Sequence, residues 1–100
     1  MDGSIAALDA LPGIRAAVGQ QLAVLFDSGI RTGADALKAL ALGADAVCVG
    51  RPYVYALGLG GQAGVEHVLR CLLADFDLSL ALSGYTRIDE LSRDALTRPA

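Results

Sequence analysis

Two short apolar runs, residues 22–26 and 46–49, each stop at a turn holding glycine and arginine, and each turn leads into a helical pattern. One helix's worth of sequence separates them. Strands separated by a single helix indicate parallel pairing through a right-handed crossover. The runs are continuous rather than alternating, the pattern of strands covered on both faces. Two parallel strands do not make a stable covered sheet alone. The pattern therefore predicts a portion of a larger α/β assembly.

Composition points the same way. Apolar residues make up 54% of the 100 residues and charged residues only 19%, against about 25% charged in ordinary soluble domains. A small domain has proportionally little interior and needs fewer apolar residues than a large one. The excess is expected to meet another protein surface, either in an oligomer or in a missing part of a larger fold. The length allows one compact unit, residues 1–100. A net charge of −3 argues against nucleic acid, which requires a basic face. No run approaches a membrane span, and residues 1–4 lack the charged and apolar regions of a signal peptide. Cys48 and Cys71 read as reduced structural thiols rather than a disulfide framework. A cytoplasmic protein is expected.

Around the strands, residues 6–18 read as a helix, with Pro12 tolerable if its main part starts there and Gly19 as its stop. Thr32 is the expected N-cap of the next helix, with Asp35 in its first turn and Gly43 at its end. Residues 53–59 read as a short helix closed by a loop at residues 58–61. A long helix is expected over residues 63–83, with Gly84 as its C-cap. A last helix is expected over residues 87–96, with Ile88 and Leu91 facing inward.

The turns carry the chemistry. In the first, Gly29 permits a positive φ and close approach of an anion, Arg31 offers a planar charged fork, and Asp27 holds the turn or accepts from a ligand hydroxyl. The plain alternative is a strand-to-helix turn with an Asp–Arg pair. In the second, Gly50 exposes its N–H, Arg51 adds charge, and Pro52 starts a helix whose N-terminus favours an anion. On adjacent parallel strands the two turns converge on one spot, a phosphate pocket.

Other candidates read as ordinary structure. His67, the only histidine, is read as a solvated helix residue. Its i, i+4 spacing to Cys71 allows a shared metal, but two ligands without others are weak evidence, and no metal site is expected. Tyr53 and Tyr55 either cover the ligand mouth or fill an interface, the second being more common. Residues 60–64 lack the Lys-Ser/Thr of a P-loop and read as a flexible connection. Asp75, Asp77, Asp89 and Glu90 read as solvated faces.

The run from Asp27 to Ala44, with Gly33, Asp35, Lys38 and Gly43 in place, then Val49-Gly50-Arg51-Pro52, then Gly64 to Leu69, resembles the FMN-dependent 2-hydroxy acid dehydrogenase/oxidase family. Arg51 to Tyr55, Gly60-Gly61 and Ala81 to Gly84 are most similar to its lactate monooxygenase and lactate oxidase branch. The resemblance covers nearly the whole chain. It implies a TIM (β/α)8 barrel, of which this chain would be the C-terminal portion: about helix 6 to helix 8 plus the tail, two parallel strands with flanking helices. It also implies FMN as cofactor. Asp27, Ser28, Gly29 and Arg31 match the first phosphate loop, and Gly50 and Arg51 the second. Ser28 stands where glycine is commoner, a departure expected to be mild.

The family's catalytic histidine and a substrate-binding arginine precede an Asp-Gly matched here by Asp2-Gly3. No catalytic residue is therefore expected in this chain, which is predicted to be inactive alone. A phosphate cradle without the flavin-ring contacts would hold FMN weakly or not at all, on the order of millimolar to tens of micromolar. The alternative is a non-catalytic, oligomerising module that binds a phosphate-like anion or flavin.

Overall fold

A computed structural model describes residues 3–97; Asp2, and with it half of the Asp-Gly match, lies outside the described residues. Helix α1 spans Ala7–Val18, strand β1 Leu25–Phe26, helix α2 Gly33–Ala41, strand β2 Ala46–Val47, and a long helical stretch α3 Arg51–Leu82. β1 and β2 pair in parallel, with Leu25 opposite Ala46 and Phe26 opposite Val47. The crossover topology expected from the sequence is present.

The strands are shorter than expected. Each has a single partner, so the ladder closes quickly, although hydrogen bonds flank it on both sides. Asp45 N–H donates to the Val24 carbonyl at 2.8 Å, and Cys48 N–H to the Phe26 carbonyl at 2.8 Å. Among the described residues only one face of the strands is covered. Val24 and Phe26 are buried with Leu11, Ile30, Ala36, Ala39 and Ala44, whereas Leu25 between them is 65% exposed. The continuous apolar run reflects a second face that nothing among the described residues covers.

The apolar excess in the composition is thus on the surface. Among the described residues, fourteen large hydrophobic side chains are exposed, eight of them on α3 between Tyr53 and Leu78. The core combines Leu11, Val24, Phe26, Ile30, Leu37 and Leu80 with four alanines, of which Ala39 is fully buried. Small side chains let α2 approach the strands closely.

Arg15 ties the strand entries together. Its Nε donates to the Gly43 carbonyl at 2.7 Å, and one Nη to the carbonyls of Gly19 at 2.7 Å and Leu22 at 3.1 Å. The other Nη pairs with the Asp45 carboxylate, which also accepts from the Val24 N–H at 2.8 Å. One guanidinium therefore joins the end of α1, the lead into β1 and the turn into β2.

Helix α2 docks on α3 at a point the sequence did not disclose. Gly33 is buried at the first turn of α2, and a Cβ there would overlap the backbone of Phe76. Its N–H donates to the Asp75 carboxylate. Asp75 is thus a docking residue rather than part of a solvated face.

Two expected helices meet in α3, and the loop between them shrinks to one non-helical residue, Gly61 (φ 60°, ψ −145°). Eight residues of straight helix would set Ala56 and Gly64 about 12 Å apart, yet a Cβ on Gly64 would collide with the Ala56 carbonyl. The first segment folds back on the second, so residues 60–64 are a sharp corner rather than a flexible connection. Residues 87–96 form two 3-10 turns, Ile88–Glu90 and Arg93–Ala95, instead of a helix. Ser92 is extended between them and its hydroxyl accepts from the Asp94 N–H at 3.3 Å, a local bond that competes with helix continuation. Ile88 is exposed and Leu91 half-buried.

The close approach at Gly33 makes a sharp prediction. Gly33→Ala should lower stability by about 1–3 kcal/mol in urea denaturation, the cost of overpacking. Gly13, inside α1 with open space around it, should respond oppositely, Gly13→Ala gaining about 0.5–1 kcal/mol.

Candidate functional site

Both turns lie at the C-terminal ends of β1 and β2, side by side because the strands are parallel and in register. They enclose one open cavity of about 470 Å³. Asp27, Ser28, Gly29, Ile30 and Arg31 line it from the first loop, and Cys48, Val49, Gly50, Arg51 and Pro52 from the second. All six residues singled out from the sequence, Asp27, Ser28, Gly29, Arg31, Gly50 and Arg51, are brought together.

Each loop is pegged from below. Ile30 is 5% exposed and belongs to the core, while Val49 packs against it. The Cys48 N–H bond to the Phe26 carbonyl ties the start of the second loop to the end of β1. Beyond the first loop, Thr32 caps α2 in a reciprocal box: its hydroxyl accepts from the Asp35 N–H at 3.2 Å, and the Asp35 carboxylate accepts from the N–H groups of Arg31 at 3.0 Å and Thr32 at 3.1 Å. Asp35 therefore fixes the backbone of Arg31. The Thr32–Asp35 spacing is the sequence signal for this box; its effect on Arg31 becomes visible only in the structure.

The upper surfaces of the loops carry the charge. Among the described residues, neither Arg31 nor Arg51 forms an ion pair, whereas Arg15, Arg70 and Arg87 do. The Asp27–Arg31 pair of the plain reading is not formed. Arg51 also begins α3, where its N–H and that of Tyr53 have no intrahelical acceptor. Two guanidiniums and a helix N-terminus against one carboxylate make a locally positive hollow in a chain of net charge −3.

The backbone geometry suits an anion. Ser28 and Gly29 both have positive φ, 97° and 73°. For Ser28 this is costly, on the order of 1–2 kcal/mol relative to ordinary backbone, so its replacement of glycine is not mild as expected. Gly50 has φ −117°, a value open to any residue, and a Cβ there would meet no protein atom within 4 Å. Its missing side chain leaves room on the cavity side without relieving any contact within the protein. A phosphate group fits this donor set in charge and in room.

Tyr53 and Tyr55 do not line the cavity; Tyr55 lines a separate hollow with Pro52 and Leu59. His67 is exposed on α3 and also lies outside it. Both cysteines are free and exposed, so neither is a buried structural thiol among the described residues. No helix among them is long and apolar enough to cross a membrane.

Comparison with known proteins places this geometry. The family model for FMN-dependent dehydrogenases matches residues 1–98. An FMN-dependent alpha-hydroxy acid dehydrogenase of Schizosaccharomyces pombe is 58% identical over 95% of this chain and 24% of its own length. An L-lactate oxidase of Lysinibacillus sphaericus is 50% identical over 98% of this chain and 25% of its own length. Among solved structures, a variant of an active chimera of (S)-mandelate dehydrogenase superposes with TM-score 0.93 at 43% identity, covering 99% of this chain and 28% of that one. A mandelate oxidase variant carrying an FMN adduct gives 0.87 at 42% identity, over 91% and 29%.

The chain belongs to the FMN-dependent 2-hydroxy acid dehydrogenase/oxidase family, whose cofactor is FMN. It spans about a quarter of the length of the curated relatives it matches. Its two parallel strands and flanking helices are a portion of the TIM barrel of that family.

The carboxylates that shape the site predict an acid response. Partial burial works to raise the Asp35 carboxyl, but the N–H groups of Arg31 and Thr32, the Thr32 side chain and Lys38 together hold it below its ordinary value. The Val24 N–H and then Arg15 lower Asp45. Both folded-state values lie below the unfolded ones, so the stabilisation is complete above about pH 3.9 and is lost as pH falls through the folded values. The urea midpoint should drop on acidification below about pH 4, and Asp35→Ala and Asp45→Ala should flatten that acid limb.

Proposed function

We propose that this chain supplies the phosphate-binding part of an FMN site in an oxidoreductase acting on 2-hydroxy acids, with lactate-like acids as the substrate class. The observation that carries the proposal is the convergence of two guanidiniums, Arg31 and Arg51, which form no ion pair among the described residues, on one cavity at the ends of adjacent parallel strands. Arg31 and Arg51 would neutralise the phosphate, and the N–H groups of Ser28, Gly29, Gly50 and Arg51 would donate to its oxygens. Asp27 would hold the first loop or accept from a ligand hydroxyl. When bound, FMN supplies the two-electron acceptor for oxidation of the hydroxy acid.

On this reading the 100 residues position the cofactor and do not take the substrate's proton. The polar side chains at the cavity are one carboxylate, one hydroxyl and one thiol beside two guanidiniums, and His67 lies elsewhere. Relatives described as L-lactate oxidases support the lactate-like class. The alternative of a non-catalytic, oligomerising module draws on the exposed apolar side chains of α3, and it shares the same phosphate site.

Titration of the purified chain with FMN and with riboflavin, followed by flavin fluorescence, tests the assignment. FMN should bind more tightly than riboflavin, which lacks the phosphate. Arg31→Ala and Arg51→Ala should each weaken FMN about 10-fold or more, the value of a hydrogen bond to a charged group, and leave riboflavin unchanged. FMN binding that is indifferent to both substitutions would refute the site.

A further inference from the structure

We propose that His67 and Cys71 form a two-point chelate for a borderline-soft divalent metal ion of the zinc type, on the exposed face of α3. The proposal is independent of the FMN site, since neither residue lines that cavity. Their i, i+4 spacing puts both side chains on one helix face. Spacing alone carries little, because many such pairs point apart.

The distance decides the matter. His67 Nε2 and Cys71 Sγ share a hydrogen bond at 3.6 Å, with both residues exposed, so the two donors already face each other and a metal ion would replace the shared proton. A tetrahedral ion with bonds of about 2.3 Å to sulfur and about 2.0–2.1 Å to nitrogen holds those two ligand atoms about 3.5–3.6 Å from each other. The pair therefore already spans one edge of a zinc coordination tetrahedron, and no rotamer change is needed to bring the donors together. Thiolate with imidazole is the donor set that suits zinc over magnesium or calcium, which prefer oxygen.

The neighbouring charges do not compete for either ligand. Arg70, beside Cys71 on the helix, is tied to Glu66 at 3.0 Å. Among the described residues no third His, Cys, Asp or Glu joins the pair, so the remaining positions fall to water or another small ligand. His67 also lines the hollow made by the corner at Gly61, together with Tyr55, Leu59 and Gly64. The bound ion would therefore sit at the rim of an apolar recess with open coordination positions. On coordination the Cys71 thiol gives its proton to solvent. Two protein ligands in place of four give an expected dissociation constant on the order of 1–200 µM.

Cobalt(II) titration of the reduced, purified chain tests this, because thiolate coordination produces an intense near-ultraviolet charge-transfer band. One equivalent of cobalt should develop that band with a micromolar midpoint, and zinc should bleach it. Both His67→Ala and Cys71→Ser should abolish it with unchanged circular dichroism. Cys48→Ser should retain it, since the second exposed thiol has no histidine partner. Absence of the band in the unaltered chain overturns the proposal. So does a band that survives His67→Ala or disappears in Cys48→Ser.

Discussion

The side-by-side alignment of β1 and β2 rests on one partly buried guanidinium. Arg15 bonds to three backbone carbonyls and to Asp45, whose carboxylate also takes the Val24 N–H. These contacts sit at the entry end of both strands, opposite the loops that line the cavity. A two-residue ladder has little register preference of its own. Because parallel strands carry their loops out at the same end, a slip at the entry would separate Arg31 from Arg51. The cavity is therefore a consequence of a clamp at the far end of the sheet.

The upper end divides its tasks between buried and exposed groups. Ile30 and Val49 give the loops fixed roots in the core, while Asp35 ties down the Arg31 backbone. Asp75 and the close approach at Gly33 set the start of α2 against α3. With the backbone held in this way, Arg31 and Arg51 stay solvated and unpaired among the described residues. The left-handed backbone at Ser28 is a local cost kept within the same loop. Strain that persists where a structure is otherwise well anchored is typical of ligand-binding turns.

Much of this was legible in the sequence, for physical reasons that can be named. Gly29, Arg31, Gly50 and Arg51 stood at turns ending apolar runs, and the crossover rule placed those turns together. The Thr32–Asp35 cap follows from spacing alone. What was hidden depended on contacts distant in sequence. Asp75 looks like any polar residue on a helix until Gly33, 42 positions away, is found against it. The apolar run at residues 22–26 shows that both faces suit a dry environment, but not that Leu25 faces away from this chain's own core. The corner at Gly61 has the glycine-rich composition of a loop, and only packing against Ala56 distinguishes a corner from a connection. At residues 87–96 helical periodicity was present, yet the Ser92 hydroxyl offered the backbone a local alternative.

One anion bound in the cavity touches both loops at once. Amide-resolved NMR of the chain during an FMN titration tests it most directly. The N–H signals of Ser28, Gly29, Gly50 and Arg51 should move together along one binding curve, while those of residues 60–64 stay in place. Signals that move in only one loop, or on separate curves, would mean that the two loops do not share one phosphate site.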